Sequence, residues 1–265
     1  MKNLRTAIAA LALTCAPLGA ATETPAQLAE REDFIAANTL WIFYHELGHA
    51  LIDQLDLPVL GKEEDAADQL AILLSDALWD RDRADQIASD VALAFWLAGQ
   101  DQTEPPAWWD EHSTDQQRHY TVACLYYAGD PERRRHVLDA VDLPPERVEL
   151  CEAERAQVEH AWGDVMDGLA DAGQPGRVSF RGPDAASDGA TDARWTPLLT
   201  QLLSDEVAAL NDQFRLPKPL TVALIPCGEE NAFYDPDLSE IQICTEYPLF
   251  LDRLLASGDE PGKAQ

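Results

Sequence analysis

Residues 45–70 read HELGHALIDQLDLPVLGKEEDAADQL, and this stretch decides how the chain folds. Leu47, Leu51 and Leu55 recur every four residues and lay one apolar stripe along a helix. Asp56-Leu57-Pro58 stops that helix, because proline lacks an N–H and holds the preceding residue extended. Pro58 to Gly61 form a short connection. Glu63 to Trp79 then read as a second helix that buries Leu70, Leu73, Leu74 and Ala77. So short a connection sends the second helix back antiparallel to the first. Upstream the same helical reading extends to Thr24.

Further along, Ala84 to Gly99 form a third helix, and Gln100 to Pro106 a loop rich in breakers. Ser113 is a candidate N-cap for a helix running to Tyr127, which Gly129-Asp130-Pro131 ends. Helices over Glu132–Ala140 and Pro145–Leu169 complete a helical first part. The composition then shifts to Gly, Asp, Ala and Pro, with one candidate strand at Arg177–Arg181 and a loop at Gly182–Asp192. Trp195–Phe214 is again helical. Leu220–Ile225, Asn231–Tyr234 and Glu240–Cys244 read as strands, with Asp235-Pro-Asp-Leu-Ser as a turn. Ser257–Gln265 is expected to be a loose tail. The fold class is therefore α+β: a mainly helical body and a small C-terminal antiparallel sheet.

Residues 1–21 have the pattern of an export signal. Lys2 and Arg5 open it, Ala7–Leu13 form an apolar run, and Gly19 and Ala21 are small residues placed for cleavage before Thr22. The run is too short for a permanent span, and no later stretch is long and apolar enough. Ala12-Leu-Thr before Cys15 makes a poor lipidation box. Residues 22–265 then read as one domain, helical over 22–170 and helix plus sheet over 171–265. Export would leave the chain periplasmic or secreted. Four further cysteines, an even number, favour disulfides there. Three pairings are open; Cys124–Cys151 and Cys227–Cys244 are favoured because each pair flanks one local unit. The 265 residues carry 48 acidic and 19 basic side chains, a formal charge of −29, so nucleic acid and anionic lipid are not expected as partners. Nothing in the sequence speaks to oligomeric state.

The chemistry lies in HELGH. On a helix, His45 and His49 stand one turn apart on one face, where two imidazoles can share one Zn²⁺. Glu46 sits off that axis, placed to act as general base on a water at the metal. Trp41, Ile42, Phe43, Leu47, Ala50 and Leu51 surround the pair, and burying two histidines and a carboxylate is costly without a compensating cation. A third ligand is needed. The His-x-x-Gly-x-x-His continuation is missing: position 52, where its glycine would fall, is Ile52, and position 55, where its histidine would fall, is Leu55. Glu64 and Asp68 stand at i and i+4 on the next helix, which can aim back at the histidines. Glu64 would ligate, and Asp68 would take the other N–H of a ligating histidine. The plain alternative is that this acidic cluster only complements a helix dipole, as Glu63 and Asp65 do.

HELGHALIDQL with Glu64-x-x-Ala67-Asp68 resembles the gluzincin metallopeptidases, which pair HExxH with a downstream Glu-x-x-x-Asp on a second helix. More closely, residues 45–71, EHSTDQQR (111–118), CGEENAFYDP (227–236) and ICTEY (243–247) resemble a bacterial metallopeptidase family defined by a domain of unknown function. The resemblance implies zinc and a peptide or protein substrate. In gluzincins the sheet precedes the zinc helix, whereas here the β-rich part follows it. Such enzymes bind the substrate backbone along an edge strand, a role open to Asn231–Tyr234.

Three further assignments follow. The Tyr234 hydroxyl is a candidate oxyanion donor, the alternative being a plain hairpin held by Cys227–Cys244. His112 is a second candidate, the alternative being a capping and packing role. Arg118 is expected to pair with an acidic group near the site. His119, His136 and His160 read as ordinary helical or exposed histidines. The expected mechanism has zinc on His45, His49 and Glu64, with Glu46 moving the proton from water to leaving amine. Two rivals stand beside it. A binding module without turnover would not need the intact Glu46. A structural zinc protein would have a fourth protein ligand, such as Asp68 or His112.

Overall fold

The computed structural model describes residues 23–102, 105–171, 177–183 and 194–258. The export signal expected over 1–21, Cys15 within it, most of the 182–192 loop and the end of the expected tail lie outside the described residues. The elements in chain order are α1 (Pro25–Leu55), α2 (Glu63–Ala77), α3 (Arg81–Asp101), α4 (Asp115–Ala128), α5 (Arg135–Val141), α6 (Pro145–Asp171), β1 (Val178–Arg181), α7 (Thr196–Gln213), β2 (Leu220–Ile225), β3 (Ala232–Asp235), β4 (Glu240–Cys244) and α8 (Tyr247–Gly258).

Helix α1 is the axis of the molecule. Thr24 caps its start in a capping box with Gln27, and Pro25 fills the first turn, where no N–H is needed. Its middle, from Phe34 to Leu51, is buried almost all round. A helix apolar on every side belongs inside a core, and α1 packs against α2, α3, α7, α8, β3 and β4. It ends at Asp56, in the left-handed region at φ 52°, from which the chain turns into α2. Against that crossing, a Cβ on Gly48 would lie 2.8 Å from the Cα of Ala67. The backbones of α1 and α2 therefore touch, and glycine at 48 is what lets them.

The sheet is small and C-terminal as expected, but it is mixed rather than antiparallel. Its order is β1-β2-β4-β3. β1 pairs with β2, and β2 with β4, in parallel; only β3 and β4 are antiparallel. The β3–β4 turn has local signals: Asp235 Oδ1 accepts the N–H groups of Asp237 and Leu238, and Ser239 adopts φ 49°. The order of strands has none. β4 returns between β3 and β2 and leaves β3 at the edge, while α7 serves as the crossover that makes β1 parallel to β2.

Two local readings also change. The N-cap of α4 is Thr114 rather than Ser113, because Gln117 completes a capping box with Thr114. Helix α8 has no counterpart among the expected elements and takes in Ser257 and Gly258. It buries Pro248, Leu251 and Leu254 and packs against α1 and α3. Both favoured disulfides are formed: Cys124–Cys151, with Cα atoms 5.2 Å apart, and Cys227–Cys244, at 5.3 Å. Such bonds fit an oxidising compartment. Among the described residues, no helix is long and apolar enough to cross a membrane.

Candidate metal centre

The Gly48–Ala67 contact sets the site. With α1 and α2 touching there, Glu64 and Asp68, which flank Ala67 on one face, reach the two histidines that flank Gly48. His45 Nε2 stands 3.1 Å from Glu64 Oε2 and 3.2 Å from His49 Nε2. His49 Nε2 closes the triangle at 3.3 Å from Glu64 Oε2. A tetrahedral ion with bonds of 2.0–2.1 Å sets its ligand atoms about 3.3 Å apart. Two nitrogens and one oxygen at these separations therefore fit three corners around one small cation.

Each imidazole is also gripped from behind. His45 Nδ1 lies 2.8 Å from Asp68 Oδ1, and His49 Nδ1 lies 2.9 Å from Glu63 Oε1. Asp68 is buried and is in turn forked by Arg118, with Nε and Nη2 donating at 2.7 Å each. Arg118 thus pairs with an acidic group at the site as expected, and its guanidinium lies over the Phe95 ring at 4.2 Å. Burial alone would raise the Asp68 pKa, but Arg118 and His45 hold it well below the carboxylate range. Glu64 is likewise held far down against its own burial, by hydrogen bonds with His112, His45 and His49. His49 moves the other way: burial pulls it down, yet Glu64 and Glu63 raise it to about 9.

Glu46 is buried, and burial raises its pKa against the pull of His45 and His49. No described residue hydrogen-bonds its carboxylate. It lines a cavity of about 770 Å³ together with His45, His49, Glu64, His112, Arg118 and residues 231–234.

The remaining expected residues are brought to this cavity with different partners. His112 meets two carboxylates: its Nε2 reaches Glu64 Oε2 at 3.1 Å and its Nδ1 lies 3.1 Å from Asp110. Tyr234 lines the wall on β3, and its hydroxyl donates to Asp53 at 2.7 Å, one turn beyond His49. That donor is engaged at Asp53. The loop leading into β3 is braced by Cys227–Cys244 and by the Glu246 carboxylate, which accepts the N–H of Cys227 at 3.1 Å and of Gly228 at 2.8 Å. The CGEE and CTEY segments therefore hold the strand in place. His119 is a helical histidine, buried with Nδ1 2.8 Å from the Ala92 carbonyl.

Three residues at the site were missed. Glu63 was read only as a helix-dipole partner. Asp110 lies in a loop without periodicity. Tyr247 opens α8, where burial raises its pKa and Arg118 and Glu46 are within electrostatic reach. Tandem acids at the start of a helix were the available signal for Glu63, and the ICTEY segment was the one for Tyr247; Asp110 carried none.

A family model described as "Putative metallopeptidase" matches residues 16–166 and 192–259, most of the chain. The chain belongs to that metallopeptidase family. No curated protein and no solved structure matches it.

Proposed function

We propose that the protein is an exported zinc-dependent peptidase in which His45, His49 and Glu64 hold the metal and Glu46 is the general base. The observation that carries this reading is the donor triangle, with edges of 3.1, 3.2 and 3.3 Å, beside a buried carboxylate that no described residue engages. Zinc fits the nitrogen-rich donor set and, when bound, supplies a Lewis acid that activates water and polarises a carbonyl.

The chain's own residues do the rest. Asp68 accepts the Nδ1–H of His45 and so leaves the Nε2 lone pair for the ion; Glu63 does the same for His49. Arg118 keeps Asp68 ionised in its buried position. Glu46 takes a proton from the attacking water and returns it to the leaving amine. Its raised pKa suits both steps, since a carboxylate that is too acidic gives no drive for the transfer. Among the described residues β3 is the edge strand beside the cavity, and an extended peptide can add to it as a further strand. Tyr234 belongs to this wall, where its bond to Asp53 ties β3 to α1. Export is supported by the residue pattern of 1–21 and by the two disulfides.

Metal analysis and peptide cleavage by purified protein test the reading. Wild type should carry one zinc per chain. Glu46→Gln should keep the zinc and lose hydrolysis by roughly 10²–10⁴-fold, and Glu64→Ala should lose the zinc. Wild-type protein without bound metal would overturn the proposal.

A further inference from the structure

Six histidines are present in the chain, and three of them share one arrangement that the other three lack. His45, His49 and His112 each place Nδ1 against a carboxylate: Asp68 at 2.8 Å, Glu63 at 2.9 Å and Asp110 at 3.1 Å. Each also directs Nε2 to the same atom, Glu64 Oε2, at 3.1, 3.3 and 3.1 Å. A metal-bound imidazole characteristically shows this form, one nitrogen on the ion and the other on a carboxylate. By contrast His119 and His136 contact backbone carbonyls, and His160 lies 3.8 Å from Asp164 on an open helix face. His45, Glu64 and His112 can bring ligand atoms within 4.8 Å of one another.

We propose that His112 is a third imidazole ligand, which completes a four-ligand centre at rest and is the one ligand able to leave. This rests on the metal reading of the site given above.

The difference between His112 and the other ligands is mechanical. His45, His49 and Glu64 stand on packed helices with side chains 4%, 14% and 16% exposed; His112 stands on the loop before α4 and is 46% exposed. The loop is held by few bonds. Lys62 Nζ donates to the carbonyls of Asp110 and His112 at 3.3 and 2.8 Å, and the His112 N–H returns to Asp110 Oδ1 at 2.8 Å. Lys62 is the N-cap of α2, two residues before Glu64, so the loop is pinned to the helix that carries the carboxylate ligand. A catalytic centre needs one position open to solvent or substrate, whereas four protein ligands make a closed one. Departure of His112 would convert the second into the first and leave a position for water or a substrate oxygen. The loop then acts as a gate that a substrate must displace.

X-ray absorption of the zinc-loaded full chain counts the imidazoles. Wild type should show three and His112→Ala two, with a solvent oxygen gained. Acetohydroxamate binding gives a second readout. It must displace His112 in wild type, so His112→Ala should bind it at least tenfold more tightly. Lys62→Ala keeps every ligand but frees the loop, and should fall between the two. Two imidazoles in wild type, or hydroxamate affinity unchanged in both variants, would overturn the proposal alone. Wild type that takes up no zinc would overturn the metal reading and this proposal with it.

Discussion

Gly48 and Ala67 meet backbone to backbone, with no room for a side chain on Gly48, since an added Cβ would stand 2.8 Å from the Ala67 Cα and 3.0 Å from its Cβ. Both residues lie between groups of the candidate metal site: Gly48 between His45 and His49, Ala67 between Glu64 and Asp68. Gly48→Ala must push α2 away from α1 and open the donor triangle. We expect a loss of about 1–3 kcal/mol in stability from overpacking and a fall in zinc affinity of at least tenfold. Gly163→Ala on α6, where an added Cβ meets nothing within 4 Å, is the control. It should stabilise by about 0.5–1 kcal/mol through helix propensity. Denaturant unfolding and zinc titration check both; unchanged zinc affinity in Gly48→Ala would separate the helix crossing from the site.

The Cys227–Cys244 bond joins the exit of β2 to the end of β4 and fixes the loop before β3. It closes a 17-residue separation, which in the chain-entropy account stabilises by about 3 kcal/mol. The double variant Cys227→Ser/Cys244→Ser should lose on that order in unfolding free energy. Because β3 is the peptide-binding wall in the proposed function, KM should rise more than kcat falls, and zinc content should stay constant.

The cavity wall carries Asp53, Asp56, Glu63 and Glu111 besides Glu46 and Glu64, while its Arg118 is committed to Asp68. The field inside is negative, on a chain of formal charge −29. Peptides with Lys or Arg near the scissile bond should be cleaved with higher kcat/KM than matched Glu peptides, by about tenfold or more. Raising ionic strength from 0.05 to about 0.5 M should shrink the ratio, because screening shortens the reach of these charges. Equal rates at low salt would count against a charged selectivity.

Asp90 on α3 offers a pH test outside the candidate metal centre. Burial raises its pKa from 3.8 to about 6, against a 2.9 Å donation from Gln86 and the attraction of Arg83, while Asp33 and Glu30 add repulsion. Between pH 4 and 6 the folded chain therefore holds a proton that the unfolded chain has released, so this residue's contribution falls as pH rises through 6. Asp90→Asn should match wild type near pH 4 and exceed it above pH 7, by on the order of 2 kcal/mol. Thermal melts at the two pH values decide it.

Much of the site was legible because it is helical and local. His45, Glu46 and His49 share one helix, and the short 58–61 connection fixes where Glu64 and Asp68 return. A periodicity of 3.6 and a chain stop are enough to place these groups. His112 was legible as a candidate, both as an oxyanion donor and as a fourth ligand, but its surroundings were not: its carboxylate partner Asp110 and its clasp, Lys62, meet it through a loop with no repeat to read. The same limit applies to Tyr234. Its strand could be read from β-formers, whereas its hydrogen bond to Asp53, 181 residues earlier, is a product of tertiary packing. The sheet was misjudged for a related reason. The Asp235–Ser239 turn has residue signals, but the insertion of β4 between β2 and β3 is a matter of crossovers.

The cavity draws its walls from Ile42 at one end of the chain to Pro236 near the other. A chain emerging from its N-terminus has all the proposed metal ligands once it passes His112. It still lacks the strand that would receive a peptide, because β3 closes the cleft only when the last quarter of the sequence has folded back on α1. Under the proposed function the ligands and the strand that seats a peptide thus come from separate stretches of sequence, so a chain cut short before β3 keeps every proposed ligand in its sequence and loses the strand.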